Sequence, residues 1–119
     1  MCFTNKSGRI MTAKKDITCY KLLFRHYRDK SLRAIVQDFI YELNVPTEKV
    51  KIKPFDIGPY HMVDKGYHSY THKNKVNEGY CYDLIAKAVI PKGSKYMINM
   101  EDGEYVSSSI MIVEVIWEA

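Results

Sequence analysis

A cluster of tyrosines in the middle of the chain is the first candidate for a binding surface. Ten of the 119 residues are tyrosine, and Tyr67, Tyr70, Tyr80 and Tyr82 lie in one short stretch. Tyrosine has an apolar ring and a polar hydroxyl, so such a cluster can stack against a base or a sugar ring. The same pattern is typical of half-buried strands. Tyr67 and Tyr70 are therefore candidate ligand-binding residues, with strand packing as the alternative.

Side chains of metal-ligating type occur in the same region. His61, His68, His72 and Cys81 carry the ring nitrogens and the thiol that zinc prefers. A mononuclear site needs three or four converging ligands, usually within a signature such as HExxH, and the sequence contains no such signature. We therefore predict exposed histidines and no metal site.

Charged residues with a possible catalytic role are few. Glu101, Asp102 and Glu104 form a local carboxylate group, but Asp102 precedes a glycine, and an Asp-Gly pair between apolar stretches predicts a hairpin tip. Lys21 lies on an otherwise apolar face of a predicted strand, where an ammonium group is costly to bury unless it is paired or reaches water. The chain has no glycine-rich phosphate loop and no GxSxG elbow.

The elements that would position these residues are mostly strands. Lysines that alternate with Val50 and Ile52 predict a half-buried strand at 49–53. Stretches rich in β-branched, aromatic and aliphatic residues predict strands at 16–24, 67–71, 84–90, 96–99, 104–107 and 110–117. The last of these is apolar on both faces, which predicts a central strand. Pro91 to Ser94 predicts a tight turn in which Gly93 adopts a positive φ.

Residues 31–43 fit two patterns. Leu32, Ile35, Val36, Phe39 and Leu43 form a helical stripe behind Ser31 as N-cap. Phe39, Tyr41 and Leu43 also alternate with polar residues, as they would in a strand. Periodicity does not separate a helix from a strand here.

Length and composition suit one compact domain, because 119 residues with 46% hydrophobic content can build a core of their own. Residues 1–15 are basic and lack periodicity, so we interpret them as an N-terminal arm before a domain at 16–119. Six or seven strands with one or two short helices predict an α+β domain dominated by a mixed or antiparallel sheet. The core residues predicted from the strand patterns are Leu22, Leu84, Ile90, Ile112, Val113 and Val115.

The net charge of +4 is unevenly distributed. Residues 1–60 hold twelve Lys or Arg against six acids, whereas residues 61–119 hold six against eight. Such an asymmetry can attract phosphate or an acidic partner, although it lacks the density of a dedicated nucleic-acid-binding protein. Three widely spaced cysteines predict reduced thiols, and no apolar run is long enough for a signal peptide or a membrane span. We expect a soluble, cytoplasmic protein that does not bind membranes.

Several motifs recur in the order known from one protein family. They are Asp16–Lys21 with its Cys-Tyr-Lys end, Phe39–Leu43, Gly66–Tyr70, Ile90–Tyr96 and Val106–Ser107. In these motifs the chain resembles a family of short proteins of gut bacteria and their phages that has no assigned activity. The resemblance favours an extended conformation for residues 38–43. It also implies an accessory role in a phage or mobile element and supplies no catalytic residue.

A second likeness involves a basic residue, a serine and a glutamate. The chain resembles ADP-ribosyltransferase-like domains in the order of three residues. These are Lys21 on the first long strand, Ser69 on an aromatic strand and Glu104 near a late strand. This likeness implies NAD as cofactor, Lys21, Ser69 and Glu104 as the catalytic set, and stacking of nicotinamide on Tyr67 and Tyr70. Lys21 stands where the family has arginine, and lysine cannot grip a phosphate bidentately.

Three functions follow as expectations. The first is a non-enzymatic accessory protein that needs no cofactor and binds an unidentified protein or acidic partner through its basic residues 1–60. The second is a diverged ADP-ribosyltransferase-like enzyme that uses NAD. The third is weak binding of single-stranded nucleic acid through lysines and tyrosines.

Overall fold

The structure is a computed structural model that describes residues 3–35, 39–63, 65–75 and 82–119. Strands account for nearly all of its regular structure. In chain order they are β1 (Phe3–Asn5), β2 (Met11–Thr12), β3 (Ile17–Arg25), β4 (Leu32–Ala34), β5 (Ile40–Tyr41), β6 (Phe55–Ile57), β7 (Tyr60–Val63), β8 (Tyr67–Tyr70), β9 (Leu84–Ile90), β10 (Lys95–Asn99), β11 (Glu104–Ser107) and β12 (Met111–Glu118). Helical structure in the described residues is limited to one 3-10 turn at Lys73–Lys75.

The predicted α+β class is therefore wrong, and so is the strand count of six or seven. Residues 49–53 form no strand, although their alternation predicts one. The described part of residues 31–43 forms β4 and β5, whereas Val36 and Asp38 lie outside the described residues. β4 pairs with β3, and β5 pairs with β4. These strands have two or three residues each, so they are too short to show alternation in the sequence. Their pairing with β3 and with each other overrides the local helical spacing.

The strands form two antiparallel sheets. The larger sheet has nine strands in the order β12-β9-β3-β8-β11-β10-β2, with β4 beside β3 and β5 beside β4. The smaller sheet has the order β1-β7-β6. Residues 1–15, interpreted as an arm, thus contribute the described strands β1 and β2, one to each sheet.

The main core lies on one face of β3, β9 and β12. The register pairs Cys19 with Ala88, and Ala88 with Ile112, so these three side chains share that face. Residues 43–50 cover its open side, because the N–H groups of Asn44 and Thr47 donate to the carbonyl oxygens of Ile112 and Ile110 at 2.7 and 2.8 Å. The sheet thereby curls around this core.

A second core lies on the opposite face, near the other end of the large sheet. Met97 of β10 pairs with Val106 of β11, and both are fully buried against Phe3 and Val63 of the small sheet. Two cores form because successive side chains of one strand point to opposite faces of the sheet, and a different part of the chain packs on each face. Ile52 completes this cluster.

The last strand lies at the end of the sheet order and not in its centre as the sequence predicts, and beyond it residues 43–47 add a single bridge from Leu43 to Ile112. β12 ends the nine-stranded order, and two register irregularities interrupt its pairing with β9. Leu22, Leu84, Ile90 and Ile112 are buried as predicted, whereas Val113 and Val115 are only partly buried. Bulges in an edge strand oppose pairing with another chain. Among the described residues, no helix is long and apolar enough to cross a membrane.

Candidate functional site

A cleft of about 700 Å³ lies where the short strand β2 pairs with β10 at the edge of the large sheet. Its lining combines basic, apolar and aromatic side chains, namely Arg9, Ile10, Met11, Thr12, Lys14, Lys15, Ile17 and Tyr96. Within the described residues no Asp or Glu contributes to the lining. A volume of this order is typical of small-ligand sites. We refer to this feature as the basic cleft.

A tight turn brings the chain into the basic cleft. Asn5 Oδ1 accepts hydrogen bonds from the backbone N–H groups of Ser7 and Gly8, both at 2.7 Å. Gly8 adopts a φ of 65°, and a Cβ atom at this position would approach the His61 ring to 2.9 Å. Glycine is therefore required directly before Arg9, because a side chain would meet both strain and a clash.

The far wall of the cleft is held by the turn between β9 and β10. Ala13 N donates to Ser94 O at 2.8 Å, and Gly93 N donates to Ala13 O at 2.8 Å. Gly93 has a φ of 90°, which confirms the positive φ predicted for this turn. Because these hydrogen bonds are between backbone groups, they fix the path of residues 13–15 without using the cleft side chains.

The cations of the basic cleft are available to a ligand. Arg9, Lys14 and Lys15 are exposed, and no ion pair found among the described residues uses them. The nearest acid in the sequence is Asp16, whose Oδ1 accepts the backbone N–H of Lys92 at 2.8 Å. Three cations that form no ion pair with a described residue surround one concave surface and produce a positive potential there.

The apolar lining of the cleft includes an aromatic ring that is held in place. Tyr96 is half-buried and meets Tyr105 of the neighbouring strand edge to face, with centroids 6.0 Å apart and an interplanar angle of 74°. Ile17 and Tyr96 both pack against the main core while lining the cleft. Their orientation is thus set by the sheet before any ligand arrives.

Lys21 and Ser69 lie away from this cleft, in the main core. The Lys21 ammonium donates a hydrogen bond to the backbone carbonyl of His68 and lies 5.5 Å from the centre of the Tyr41 ring. Burial lowers the pKa of Lys21 to about 8. The Ser69 hydroxyl and Lys21 are next to the Cys19 thiol, whose pKa burial raises to about 11 despite these two neighbours.

Glu104 lies on the opposite face of the sheet. Tyr105 pairs with Ser69, so Tyr105 shares the face of Ser69, and the preceding Glu104 points to the other side with its partner Tyr70. Burial, followed by the charge of Asp102, raises the pKa of Glu104. The structure therefore brings Lys21 and Ser69 together but does not bring Glu104 to them.

The two candidate stacking tyrosines are also separated. Tyr67 and Tyr70 are both buried, at 8% and 3% exposure, and their positions in β8 direct them to opposite faces. The Tyr67 hydroxyl donates to Glu48 O at 2.7 Å. Packing within the sheet accounts for both side chains, and they do not form one wall.

The residues of metal-ligating type are dispersed. His61 pairs with Asp56 at 2.8 Å, His68 is buried in β8 and His72 contacts Thr71. Within the described ranges no group of three or more His, Cys, Asp or Glu residues is placed to hold a metal. Tyr80 and Cys81 lie outside the described residues.

Comparisons of the chain with protein-family models, with curated proteins and with solved structures found no match. Function therefore has to be argued from the geometry of the basic cleft and of the main core. Fold alone would in any case say little about chemistry.

The sequence patterns did not identify the basic cleft. Arg9, Lys14 and Lys15 fall in the segment interpreted as an arm, and Tyr96 lies in a distant strand. The surplus of basic residues in the first half is the one related signal, since Arg9, Lys14 and Lys15 lie in that half. The contribution of Tyr96 has no local signal because it depends on the pairing of β2 with β10.

Proposed function

We propose that this domain is a non-enzymatic binding protein that takes an acidic ligand in the basic cleft. The observation that supports the proposal is the combination of three exposed cations, Arg9, Lys14 and Lys15, with a concave surface whose described lining contains no carboxylate. A cleft of one charge sign concentrates ligands of the opposite sign. The resemblance of several motifs to a family of short proteins of gut bacteria and their phages supports an accessory role.

The enzymatic alternative has less support. An ADP-ribosyltransferase-like reaction needs a carboxylate close to a held ribose, together with the basic residue that positions the cofactor. Lys21 is enclosed in the main core with its ammonium bonded to His68, while Glu104 is on the other face. Calorimetric titration of NAD into the original chain and into Lys21→Met distinguishes the two functions, because only the enzyme requires NAD binding that depends on Lys21.

The proposal is tested with a charge-reversed cleft and a matched control. Arg9→Glu, Lys14→Glu and Lys15→Glu together reverse the cleft, and Lys49→Glu, Lys51→Glu and Lys53→Glu make the same net change at exposed lysines outside its lining. The probe is a fluorescein-labelled oligoglutamate peptide at low salt. We expect the cleft variant to lose binding and the control variant to retain it.

Equal loss in the two variants would overturn the proposal, because net charge and not the cleft would then determine binding. Retention of full binding by the cleft variant would overturn it as well. Circular dichroism of both variants confirms that each remains folded. All six substituted side chains are exposed, and exposed substitutions usually change stability by less than about 0.5 kcal/mol.

A further inference from the structure

We infer that the ligand of the basic cleft is single-stranded nucleic acid, with phosphates on Arg9, Lys14 and Lys15 and a base against Tyr96. This inference rests on the proposed function and specifies its ligand. The inference depends on the apolar and aromatic side chains of the cleft, since positive charge alone would suit any polyanion.

The first step is the aromatic lining. Tyr96 contributes to the cleft surface, and its edge-to-face contact with Tyr105 holds the ring in one orientation. Every base has a flat π-face, and proteins that bind single strands without sequence preference use such rings as stacking platforms beside a basic groove. An acidic peptide would use the cations but has no group that requires a fixed aromatic ring.

The second step is the mixture of lining types. Ile17 and Tyr96 are apolar or aromatic and half-buried, while Arg9, Lys14 and Lys15 are exposed. A nucleotide has the same division between an apolar flat base and a charged phosphate. The cleft therefore matches both parts of a nucleotide, whereas inorganic phosphate would leave the apolar lining uncovered.

The third step excludes a duplex. Bases in a duplex are stacked on one another, and a protein reads them by inserting a helix or a β-ribbon into a groove. The described residues contain no α-helix, and β2, the strand at the cleft, has two residues. A cleft of about 700 Å³ accommodates unstacked nucleotides and not a double helix.

The charges predict a quantitative salt dependence. If the three cations each neutralise one phosphate of a single strand, the logarithm of the binding constant should fall with the logarithm of salt concentration at a slope of about −2. Neutralising one of them, as in Lys14→Gln, should make that slope shallower by about 0.7. Base stacking is largely independent of salt, so changes at Tyr96 should leave the slope unchanged.

The experiment compares four fluorescein-labelled probes on the intact chain. They are an oligothymidylate, an abasic strand with the same number of phosphates, a duplex of the same length, and the oligoglutamate peptide. We expect the oligothymidylate to bind at least about five-fold more tightly than the abasic strand, because stacking contributes roughly 1 to 3 kcal/mol per base, which is about 5- to 160-fold in the binding constant. Tyr96→Leu should remove that advantage, and Tyr96→Phe should keep it.

The outcomes separate the inference from the proposed function. If oligoglutamate binds in the cleft as tightly as the oligothymidylate, or if the duplex binds best, the inference is overturned and the proposed function stands. If no probe binds, or if the charge-reversed cleft binds all probes, both are overturned. The abasic strand keeps the test decisive even if Tyr96→Leu fails to fold, because it removes the base from the ligand and leaves the protein unchanged.

Discussion

Lysines close together in the sequence have opposite environments in this protein. Lys14 and Lys15 are exposed at the basic cleft and form no ion pair with any described residue, whereas the Lys21 ammonium is enclosed in the main core beneath Tyr41. The strand β3 begins between them, and Lys21 is half-buried there, with its ammonium between the His68 carbonyl and the Tyr41 ring. An ammonium group in water can bind a ligand, whereas a buried ammonium group is already bound to other groups of the protein.

Lys14 and Lys15 can therefore bind a ligand, whereas Lys21 affects the stability of the fold. The carbonyl of His68 occupies the Lys21 ammonium, so Lys21 contributes to the order of the core. Lys14 has no such role, so its charge can be changed without disturbing the fold.

The same charge reversal in the two regions should have very different consequences. Lys21→Glu places a carboxylate against a carbonyl oxygen in the core, so we expect a loss of about 3 kcal/mol or more in the free energy of unfolding. Lys14→Glu should change it by less than about 0.5 kcal/mol. Urea unfolding of both variants measures the difference. Similar values for the two would show that Lys21 is not enclosed.

The turn that supports the cleft should be sensitive to its glycine. Gly93 has a φ of 90°, but a Cβ atom there would meet no neighbour within 4 Å, so the cost of Gly93→Val is backbone strain alone. We expect a loss of roughly 1 to 2 kcal/mol. Gly66→Val is the sharper counterpart, because a Cβ atom would come within 2.7 Å of Val106 and 2.9 Å of Ile52. Thermal unfolding that ranked Gly93→Val as the more harmful change would contradict this account.

The enclosed lysine should also make stability depend on pH. Its pKa falls from 10.5 to about 8 on folding, so between these values the unfolded chain holds a proton that the folded protein has released. Stability therefore rises with pH, by about 1 kcal/mol between pH 8 and pH 9. Above pH 9 the Cys19 thiol opposes the rise, since its pKa increases from 9.0 to about 11 on folding and the unfolded chain ionises first.

The control for this pH effect is Lys21→Met, which keeps much of the side-chain length and removes the titrating group. Urea unfolding of the two proteins at pH 8 and pH 9 should show the increase in the original chain and its absence in the variant. A rise of the same size in Lys21→Met would assign the pH dependence to another group.

The smallest expected effect concerns a hydroxyl beside the cleft wall. Ser94 Oγ is buried without a hydrogen-bond partner in the described structure, so Ser94→Ala should leave stability unchanged or raise it by up to about 1 kcal/mol. Ser109 is the matched control, because its hydroxyl donates to Thr47 O at 2.8 Å. Ser109→Ala should therefore lower stability by about 1 kcal/mol. A larger loss at Ser94 than at Ser109 would be the contrary result in thermal unfolding.

The sequence by itself determined the long strands and one tight turn. β9 has the bounds that its composition predicts, β3 and β12 differ from prediction by a residue or two, and Gly93 adopts the expected φ. These features are local: alternation of side chains along one strand and the steric freedom of glycine do not depend on the rest of the chain. The buried state of Leu22 and Ile112 follows from the same alternation.

The positions of strands within the sheets, the face that each candidate residue occupies and the place of the cleft all depend on long-range pairing. β12 is apolar on both faces like a central strand, yet it ends the sheet order. Ser69 and Glu104 are separated by the register between β8 and β11, and Tyr96 meets the N-terminal cations because β2 pairs with β10. Strand pairing joins residues far apart in the chain, and a shift of one residue moves a side chain to the other face, so no local pattern contains this information.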